Sequence, residues 1–375
     1  MADWFGKEVF KLGFGLMRLP KLEDGKSIDV EQVSKMVDLF IAAGGTYFDT
    51  AYVYDEGRSE EAIKQALVDR YPRESYTLCT KLNAWHGASD EKSAKQQFYT
   101  SLERTGAGYF DYYLLHAIMD GNAHFYDDYH LWSFVPELKK QGLVKYWGFS
   151  FHGTPECLDR LLTDHPDVDF IQLQINYADW EDDNVASRKC WEVARKHGKS
   201  ITVMEPVKGG ALADPISQVK EIFRKAAPDL SPASWAIRYA ASLEGIITVL
   251  SGMSNIAQME DNLSYMKDFQ PLNDAEQKVI GDAVKAMNAV ETIRCTACHY
   301  CTEGCPMQIP IPEIFRVRNQ QRIFNTDDRA KGEYRNATRE RGRASECIQC
   351  GQCESACPQH LPIIELLKEC SANLE

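Results

Sequence analysis

The chain has 375 residues, of which 44% are hydrophobic and 26% are charged, a composition typical of a globular protein with room for two or three domains. Its net charge of −13 argues against a nucleic-acid-binding protein, although residues 291–375 are nearly balanced, with 11 basic and 12 acidic side chains. The N-terminus carries no apolar signal core, and no apolar run is long enough to span a bilayer. We therefore expect a cytoplasmic protein that has no membrane partner.

Short β-branched or apolar runs alternate with longer amphipathic runs before residue 290, which is the pattern of repeated strand–helix units. The predicted strands, in chain order, are Lys11–Met17, Thr46–Asp49, Tyr76–Thr80, Asp111–His116, Tyr146–Phe149, Phe170–Gln174, Ile201–Met204 and Gly245–Leu250. The predicted helices are Val30–Ala43, Ser59–Val68, Glu91–Arg104, Val135–Gln141, Pro155–Leu162, Val185–His197, Pro232–Ala241, Ile256–Met266 and Asn273–Ala289.

Eight strands with helices between them indicate a (β/α)8 TIM barrel, which takes about 250 residues as one domain. A doubly wound sheet is the alternative, but no Gly-x-Gly-x-x-Gly run follows a strand and opens a helix. We therefore predict an α/β chain with a barrel domain over residues 1–290 and a second domain over residues 291–375.

Polar residues stand where three of the predicted strands end, and barrel enzymes carry their active sites at this face. The second strand runs into Asp49-Thr50-Ala51-Tyr52-Val53-Tyr54, the third ends in Thr80-Lys81 and the fourth ends in Leu114-Leu115-His116. Over roughly residues 9–270 the chain resembles the aldo-keto reductase family, whose catalytic Asp, Tyr, Lys and His stand at these strand ends.

The resemblance implies that Asp49, Tyr54, Lys81 and His116 are catalytic residues. The expected reaction is the NAD(P)H-linked reduction of a small aldehyde or ketone, or the oxidation of the corresponding alcohol. Hydride delivery to a carbonyl carbon leaves an oxyanion that needs a proton, and Tyr54 is the expected general acid. Lys81 would stabilise the phenolate, Asp49 would hold Lys81 charged and in place, and a neutral His116 would donate a hydrogen bond to the substrate oxygen.

The resemblance also implies a nicotinamide site, which this chain matches less closely. Ser150 keeps the serine of the family's Ser-Asn pair, whereas Phe151 stands in place of the asparagine. Gln172 fits the strand-six glutamine that holds the nicotinamide amide, with Gln174 as the alternative register. Met204 stands where the family usually has an aromatic residue that stacks on the nicotinamide ring.

Two loops are expected to meet the rest of the cofactor. Lys208 and Gly209 could bind phosphate oxygens of the cofactor, and a turn without a binding role is an equally supported interpretation of this segment. After strand eight, Ser254 or Asn255 caps a helix whose N-terminus suits an anion, and Asn262 matches the family's adenine-side asparagine. NADPH-using relatives have basic residues where this chain has Gly252 and Gln258, so we expect NADH to be favoured over NADPH, with a flavin as the alternative cofactor.

Two copies of one cysteine run, Cys-x2-Cys-x2-Cys-x3-Cys-Pro, lie near the C-terminus. Bacterial ferredoxins hold iron–sulfur clusters with this spacing, and in two-cluster proteins the fourth cysteine ligates the other cluster. Structural zinc favours separated Cys-x2-Cys pairs, and disulfides have no reason to repeat this spacing, so both are weaker interpretations. We expect two [4Fe–4S] clusters, the first held by Cys295, Cys298, Cys301 and Cys357 and the second by Cys347, Cys350, Cys353 and Cys305.

With this tail, the chain looks like the branch of the aldo-keto reductase family that is fused to a mainly α-helical, ferredoxin-like dicluster domain. The remaining cysteines, Cys79, Cys157, Cys190 and Cys370, are expected to be buried small hydrophobic residues. A stretch of basic residues between Arg316 and Arg343 is expected to offset the negative charge of the clusters and of the acidic barrel.

Three functional hypotheses follow from these patterns. The leading one is a nicotinamide-dependent carbonyl reductase or alcohol dehydrogenase that carries two clusters. The second is an electron-transfer oxidoreductase, in which the barrel binds a flavin and the clusters pass single electrons to a redox partner protein. The third is a regulatory barrel whose clusters only fold the tail, and the intact set of four catalytic residue types argues against it.

Overall fold

The computed structural model describes residues 9–183, 185–295 and 297–375. These residues form two compact units, one with the residues up to 209 together with Ala233–Gln277, the other with Gly210–Pro232 and Lys278–Glu375. The domain boundary near residue 290 stays a prediction. No helix in the described part of the chain is long and apolar enough to cross a membrane.

Eight parallel strands close into a barrel in which each strand pairs with the next and the eighth pairs with the first. The strands are β1 Leu12–Gly15, β2 Tyr47–Asp49, β3 Thr77–Leu82, β4 Phe110–Ile118, β5 Val144–Phe151, β6 Phe170–Gln174, β7 Ser200–Met204 and β8 Ile246–Ser251. The predicted (β/α)8 barrel is confirmed. The first strand is shorter than predicted because Leu16–Arg18 turns into a 3₁₀-helix, and the other strands end within two residues of their predicted bounds.

Eleven helices precede the cysteine runs in the described residues. They are α1 Val30–Ala42, α2 Arg58–Ile63, α3 Glu91–Thr105, α4 His124–Asp128, α5 Leu131–Lys140, α6 Pro155–Asp164, α7 Ser187–Lys196, α8 Ser217–Ala226, α9 Pro232–Ala241, α10 Ile256–Met266 and α11 Asp274–Asn288. Two of these, α4 and α8, were not predicted, and the second predicted helix divides into α2 and a π-helical turn, Lys64–Val68.

The period of two along a strand sorts side chains between the barrel interior and the helix layer. Inward-facing residues low in the barrel form a buried cluster that includes Tyr47, Cys79, Tyr112 and Phe170. The rings of Tyr47 and Tyr112 lie with their centroids 4.8 Å apart. Two positions further along the same strands, Asp49, Lys81, Leu114 and Gln172 form the next inward layer, nearer the carboxyl ends where the active site is expected.

The outward strand faces pack against the helices. Phe40 on α1 is fully buried, and its ring centroid lies 6.0 Å from that of Phe14 on β1 and 5.3 Å from that of Phe48 on β2. Truncating such a core phenylalanine to alanine typically costs about 3–5 kcal/mol of stability. Strands β5 and β6 approach closely at Gly148, where an added Cβ would lie 1.9 Å from the Phe170 carbonyl oxygen, so no side chain fits there.

The C-terminal region is mainly α-helical, as predicted. Its helices are α12 Tyr300–Glu303, α13 Ile311–Phe324, α14 Asp327–Ala337, α15 Gln352–Ser355 and α16 Ile363–Leu374. The two cysteine runs have the same local structure. Each contains a four-residue helix (α12 or α15) and leads through a proline into a longer helix (α13 or α16). The core contains Ile309, Ile311, Ile314, Phe315, Ile363, Leu367 and Cys370.

The basic stretch of this region is partly neutralised by carboxylates of the same region. Arg318 and Arg322 both pair with Glu369 at 2.7 Å, and Arg316 and Arg329 pair with Glu333 at 3.3 and 3.0 Å. These ion pairs bind helices α13, α14 and α16 to one another. Two carboxylates therefore compensate part of the arginine charge locally.

Candidate active site and cysteine clusters

The barrel brings Asp49, Lys81 and Tyr54 together at the carboxyl ends of β2 and β3. The Lys81 ammonium is fully buried and donates hydrogen bonds to Asp49 Oδ1, to the Thr50 carbonyl oxygen at 2.6 Å and to the Tyr54 hydroxyl oxygen at 3.3 Å. These contacts use all three N–H donors of the ammonium. The Lys81 nitrogen also lies 4.7 Å from the centroid of the Tyr54 ring.

The electrostatics of these groups follow from burial and from one ion pair. Burial is the largest single effect on Lys81 and acts to lower its pKa, but the Asp49 carboxylate, Tyr54 and Cys79 together outweigh it and hold that pKa above its ordinary value. Burial raises the pKa of Tyr54, and the Lys81 ammonium opposes this without cancelling it. At neutral pH the site therefore contains a charged Lys81 and a protonated phenol, which is the state that a general acid needs.

His116 faces Tyr54 from β4, with ring centroids 5.6 Å apart and the ring planes at 76°. Burial, together with the nearby Lys81 and His152, holds the pKa of His116 well below 6.5, so the imidazole is neutral at pH 7. Its Nδ1 atom is buried and has no hydrogen-bond partner among the described residues. A neutral imidazole beside the Tyr54 phenol can donate one hydrogen bond to a substrate oxygen, as predicted for this residue.

The backbone of β4 is irregular next to His116. The pairing of β4 with β5 shifts register between Leu115 and Ile118, and Ala117 has a left-handed backbone, with φ +57°. The Ala117 carbonyl oxygen accepts hydrogen bonds from Asn122 Nδ2 at 3.0 Å and from Trp85 Nε1 at 3.2 Å. Backbone strain of this kind persists only where its surroundings enforce it and is frequent at functional sites.

The predicted nicotinamide residues lie at the ends of β5, β6 and β7. Ser150 is fully buried, and its hydroxyl oxygen accepts a hydrogen bond from the Ala117 N–H at 2.6 Å. Gln172 is buried and donates from Nε2 to Asp49 Oδ2 at 3.2 Å. Met204 ends β7 and is half-buried. Ser150 and Gln172 are register partners on neighbouring strands, so two of the predicted nicotinamide residues lie side by side, and Gln172 also contacts Asp49.

Lys208 lies in a polar network that the sequence did not predict. Its ammonium pairs with the buried Asp179 carboxylate, which also accepts hydrogen bonds from Asn176 at 2.7 Å and from Gln174 at 3.0 Å. Gly209, next in the chain, is left-handed with φ +64°. The phosphate role of Lys208 and Gly209 stays a prediction, and a phosphate at Lys208 would share this ammonium with Asp179.

The loop after β8 has the capping geometry predicted for it. Asn255 is the N-cap of α10 and accepts a hydrogen bond from the Gln258 N–H at 2.9 Å, while Gln258 Oε1 accepts one from the Ser254 N–H at 2.7 Å. An added Cβ at Gly252 would come no nearer than 3.8 Å to the neighbouring Arg18 side chain, so the backbone there is open.

Asn262 is buried in the same region, and the side-chain amide is held inside the fold. Its Nδ2 donates to Ser251 Oγ at 2.6 Å, and its Oδ1 accepts from the Tyr265 hydroxyl at 2.5 Å. Its predicted contact with the adenine side of a cofactor stays a prediction, and one amide N–H would remain for it.

Other residues that hold the Tyr54 loop were not predicted. Three successive left-handed residues follow Tyr54, namely Asp55, Glu56 and Gly57, with φ of +50°, +59° and +92°. The Asp55 carboxylate, which pairs with Lys21 and Arg58, holds this turn in place. Only the glycine carries a sequence signal for such a backbone, because non-glycine residues adopt it at a cost.

A buried carboxylate lies behind the same loop. Glu60 is fully buried and accepts hydrogen bonds from Thr80 Oγ1 at 2.7 Å and from Arg104 Nη1 at 3.2 Å. Arg104 also donates to the Tyr52 carbonyl oxygen at 3.1 Å. These contacts connect β3, α2 and α3 beneath the loop that carries Tyr54. Sequence reasoning had no signal for Glu60, since a glutamate in the first turn of a helix is usually solvated.

The cysteines of the two runs gather in two pockets, and each pocket takes three cysteines from one run and one from the other. One pocket is lined by Cys295, Cys298, Cys301 and Cys357, together with His299 and Phe315. The other is lined by Cys347, Cys350, Cys353 and Cys305, together with Met307 and Leu367. These are the two crossed sets predicted from the spacing.

The chemistry of these pockets fits a cubane cluster rather than a single ion. In the described part of the chain, no three cysteine, histidine or carboxylate side chains converge closely enough to hold one metal ion. A cubane does not need such convergence, because each of its four cysteines binds a different iron. Burial raises the pKa of Cys301 and of Cys353 to about 11, so these thiols need a cation to ionise. The other cysteines, Cys79, Cys157, Cys190 and Cys370, are buried as predicted.

Comparison with protein families gives two matches that together span most of the chain. Residues 11–284 match the Aldo/keto reductase family. Residues 294–361 match a 4Fe-4S dicluster domain.

Two relatives are distant in sequence, but the chain matches most of the length of each. An uncharacterized oxidoreductase of Bacillus subtilis, YqkF, is 27% identical over 286 residues, which are 68% of this chain and 87% of that protein. The L-galactose dehydrogenase of Arabidopsis thaliana is 21% identical over 315 residues, which are 77% of this chain and 93% of that protein.

Solved structures show the same fold. The aldo-keto reductase AKR11C1 from Bacillus halodurans in its holo form has a TM-score of 0.60 and 24% identity, covering 74% of this chain and 93% of that one. An aldo/keto reductase from Klebsiella pneumoniae in complex with NADP and acetate has a TM-score of 0.60 and 21% identity, covering 73% of this chain and 91% of that one. Identities this low establish the barrel and leave the chemistry to the residues of the site.

Proposed function

Because the chain belongs to the aldo/keto reductase family and carries a 4Fe-4S dicluster domain, we propose that it is an NAD(P)H-linked oxidoreductase that reduces a small aldehyde or ketone, or oxidises the corresponding alcohol. The single observation that carries the proposal is the convergence of Tyr54, Lys81, Asp49 and His116 at one end of the barrel. Tyr54 acts as the general acid in reduction and as the base in oxidation.

The chain's own residues account for the proton and for the orientation of the substrate. Tyr54 gives the proton of its hydroxyl to the carbonyl oxygen as negative charge develops there. Lys81, 3.3 Å from the Tyr54 oxygen, stabilises the phenolate that remains, and Asp49 keeps Lys81 charged in its buried position. His116, neutral because it is buried, donates a hydrogen bond to the same substrate oxygen and fixes its distance from Tyr54.

A bound nicotinamide would supply the hydride for this reaction. The residues that would hold it are Ser150, Gln172 and Met204 around the ring, Lys208, Gly209 and Gly252 along the phosphates, and Ser254, Asn255 and Asn262 toward the adenosine. Two features of the site suit such a ligand. The backbone is open at Gly252, and the N-terminus of α10, where an anion is favoured, begins after Asn255. The Klebsiella pneumoniae relative was solved with NADP, which supports a nicotinamide cofactor here. The absence of a basic residue at Gly252 and Gln258 favours NADH over NADPH.

We assign two [4Fe–4S] clusters to the two crossed cysteine pockets. Cys305 and Cys357 each connect one run to the other run's pocket, so both runs are needed for either site. Clusters of this type supply single-electron transfer. The ligand sets also contribute to folding, because the cysteines are drawn together only when the region is folded.

The test compares variants of two of these four residues with a matched control. Tyr54→Phe and His116→Ala should each abolish most carbonyl reduction and leave the iron content unchanged, because the cysteine pockets are lined by residues of the C-terminal region alone. Tyr52→Phe removes a hydroxyl from the same loop and should keep nearly full turnover. Steady-state rates and iron assays on anaerobically purified variants decide the matter. Near-normal turnover by Tyr54→Phe would refute the assignment.

The dicluster domain favours a second candidate, an electron-transfer oxidoreductase with a barrel-bound flavin and a redox partner protein. A hydride carries two electrons and a cluster accepts one, so coupling the two requires a carrier such as a flavin. The cofactor retained by anaerobically purified protein separates the candidates. Retained flavin would support the second, and nicotinamide binding without flavin would support the first.

A further inference from the structure

Both oxygens of the Asp49 carboxylate are held inside the barrel, each by a different strand. Oδ1 pairs with the Lys81 ammonium from β3, and Oδ2 accepts a hydrogen bond from Gln172 Nε2 of β6 at 3.2 Å. Asp49 is 3% exposed and Gln172 is 2% exposed, so water does not compete for either contact. The amide reaches across the barrel interior to the carboxylate.

The family resemblance gives Gln172 another task, which is to hold the amide of a nicotinamide ring. The structure shows that one of its two amide N–H groups is committed to Asp49, and only the remaining N–H and the Oε1 atom could meet a cofactor. We propose that Gln172 is a positioning residue of the catalytic apparatus, which fixes Asp49 so that Lys81 stays aligned with Tyr54. This inference deepens the proposed function and rests on it.

The contact matters because it fixes the rotation of the Asp49 carboxylate. With Oδ2 anchored by Gln172, the carboxylate cannot rotate about its Cβ–Cγ bond without breaking a charge-assisted hydrogen bond. Oδ1 is then kept toward Lys81, whose other N–H groups meet the Thr50 carbonyl and the Tyr54 hydroxyl. Gln172 therefore acts on Tyr54 through two intermediates and does not touch it.

Removing the amide should raise the pKa of Tyr54, since two effects have the same sign. The Asp49 charge would no longer be shared with a donor and would oppose a phenolate more strongly, and a less aligned Lys81 would stabilise the phenolate less. The titratable groups that face Tyr54 are Asp49 from β2, Lys81 and Cys79 from β3 and His116 from β4, and His152, which follows β5, acts on His116. Gln172→Met changes none of them. The effect reaches Tyr54 only through Asp49 and Lys81, and we expect the pKa of Tyr54 to rise by about one unit, a tenfold lower phenolate fraction at a given pH.

The matched control is Thr202→Val. Thr202 is the register partner of Gln172 on β7, is fully buried, and has no hydrogen-bond partner for its hydroxyl among the described residues. Its replacement alters the same layer of the barrel interior without removing a contact to Asp49.

The experiment measures ionisation of the Tyr54 phenol in protein without nicotinamide, so its outcome does not depend on turnover. Uniform 3-fluorotyrosine labelling makes tyrosine phenols more acidic, and the ¹⁹F resonance of residue 54 is the one lost in Tyr54→Phe. The midpoint of its titration should move up by about one pH unit in Gln172→Met, a tenfold lower phenolate fraction at a given pH, and should stay within about 0.3 unit in Thr202→Val.

NADH affinity, measured by fluorescence titration on the same proteins, reports the nicotinamide role separately. A midpoint that is unmoved in Gln172→Met, whether NADH binding weakens or not, would overturn the proposal, and so would an equal shift in Thr202→Val. If the assignment of Tyr54 as the general acid is wrong, the Tyr54→Phe variant will reduce the carbonyl substrate at the wild-type rate. That result is independent of the titration, so the two failures can be told apart.

Discussion

Replacing Lys81 by methionine should damage both stability and chemistry, because one buried ammonium serves both. Lys81 is fully buried and Asp49 is 3% exposed, so the substitution leaves a carboxylate in the barrel interior without its cation. Breaking a buried pair in this way costs about 3–5 kcal/mol. We expect the low end of that range, since Gln172 still donates a hydrogen bond to Asp49.

The chemical effect follows from the distance between the Lys81 nitrogen and the Tyr54 oxygen. At 3.3 Å and an effective dielectric constant of about 20, an ammonium attracts a phenolate with about 5 kcal/mol. Losing this attraction makes the phenol a weaker acid just when the substrate needs its proton. Because positioned general acids contribute about 10²–10⁴-fold to rates, kcat/KM should fall by a factor in that range.

Denaturant unfolding and steady-state kinetics on Lys81→Met and two comparison variants separate these effects. The double variant Asp49→Asn/Lys81→Met removes both charges and should regain much of the lost stability while remaining inactive. Lys139→Met is the control, because this lysine is 37% exposed in its pair with Asp169 and should change stability by less than about 1 kcal/mol. Normal turnover in Lys81→Met, or turnover restored in the double variant, would refute the reasoning.

Three further predictions concern the cofactor, the clusters and pH. With Gly252 and Gln258 where a 2′-phosphate grip would lie, NADH should bind at least as tightly as NADPH in fluorescence titrations, and a strong NADPH preference would contradict this. In Mössbauer spectra, Cys357→Ala should damage the cluster held mainly by the first cysteine run and Cys305→Ala the other, whereas uncrossed ligation would give the reverse. Because the pKa of His116 in the folded protein lies well below 6.5, the unfolded chain gains a proton there that the native protein refuses, so stability falls as pH drops below about 6.5. His116→Gln should lose less in Tm between pH 7.5 and pH 5.5, and an equal loss would show that His116 is not the group responsible.

Local patterns in the sequence predicted the barrel, and the resemblance to the aldo-keto reductase family then singled out Asp49, Tyr54, Lys81 and His116 as candidate catalytic residues at its strand ends. Alternating apolar and amphipathic runs mark the strand–helix units, and the carboxyl ends of parallel strands meet at one face of a barrel. Asp49, Lys81 and His116 each end or nearly end a strand, so their convergence follows once the barrel is recognised. The crossed cysteine pockets follow in the same way from the repeated spacing.

Other parts of the site depend on contacts between residues distant in sequence. Nothing local to Gln172 indicates that its amide meets Asp49, 123 positions earlier in the chain. The left-handed backbone of Asp55 and of Ala117 is enforced by tertiary contacts, and neither residue type favours it strongly enough to be predicted. Helix α8 was missed because the strand–helix pattern had already assigned α9 as the helix that follows β7.

The most direct test of the proposed reaction is to follow the hydrogen that reaches the substrate. Iron-replete protein would be supplied anaerobically with NADH deuterated at both C4 positions and with an aldehyde that it reduces, in ordinary water. Direct hydride transfer in the barrel predicts one deuterium on the carbinol carbon of the alcohol, and loss of this product in Tyr54→Phe. An alcohol formed without deuterium would mean that electrons pass through a flavin or the clusters and that the hydrogen comes from solvent, which would contradict direct hydride transfer in the barrel.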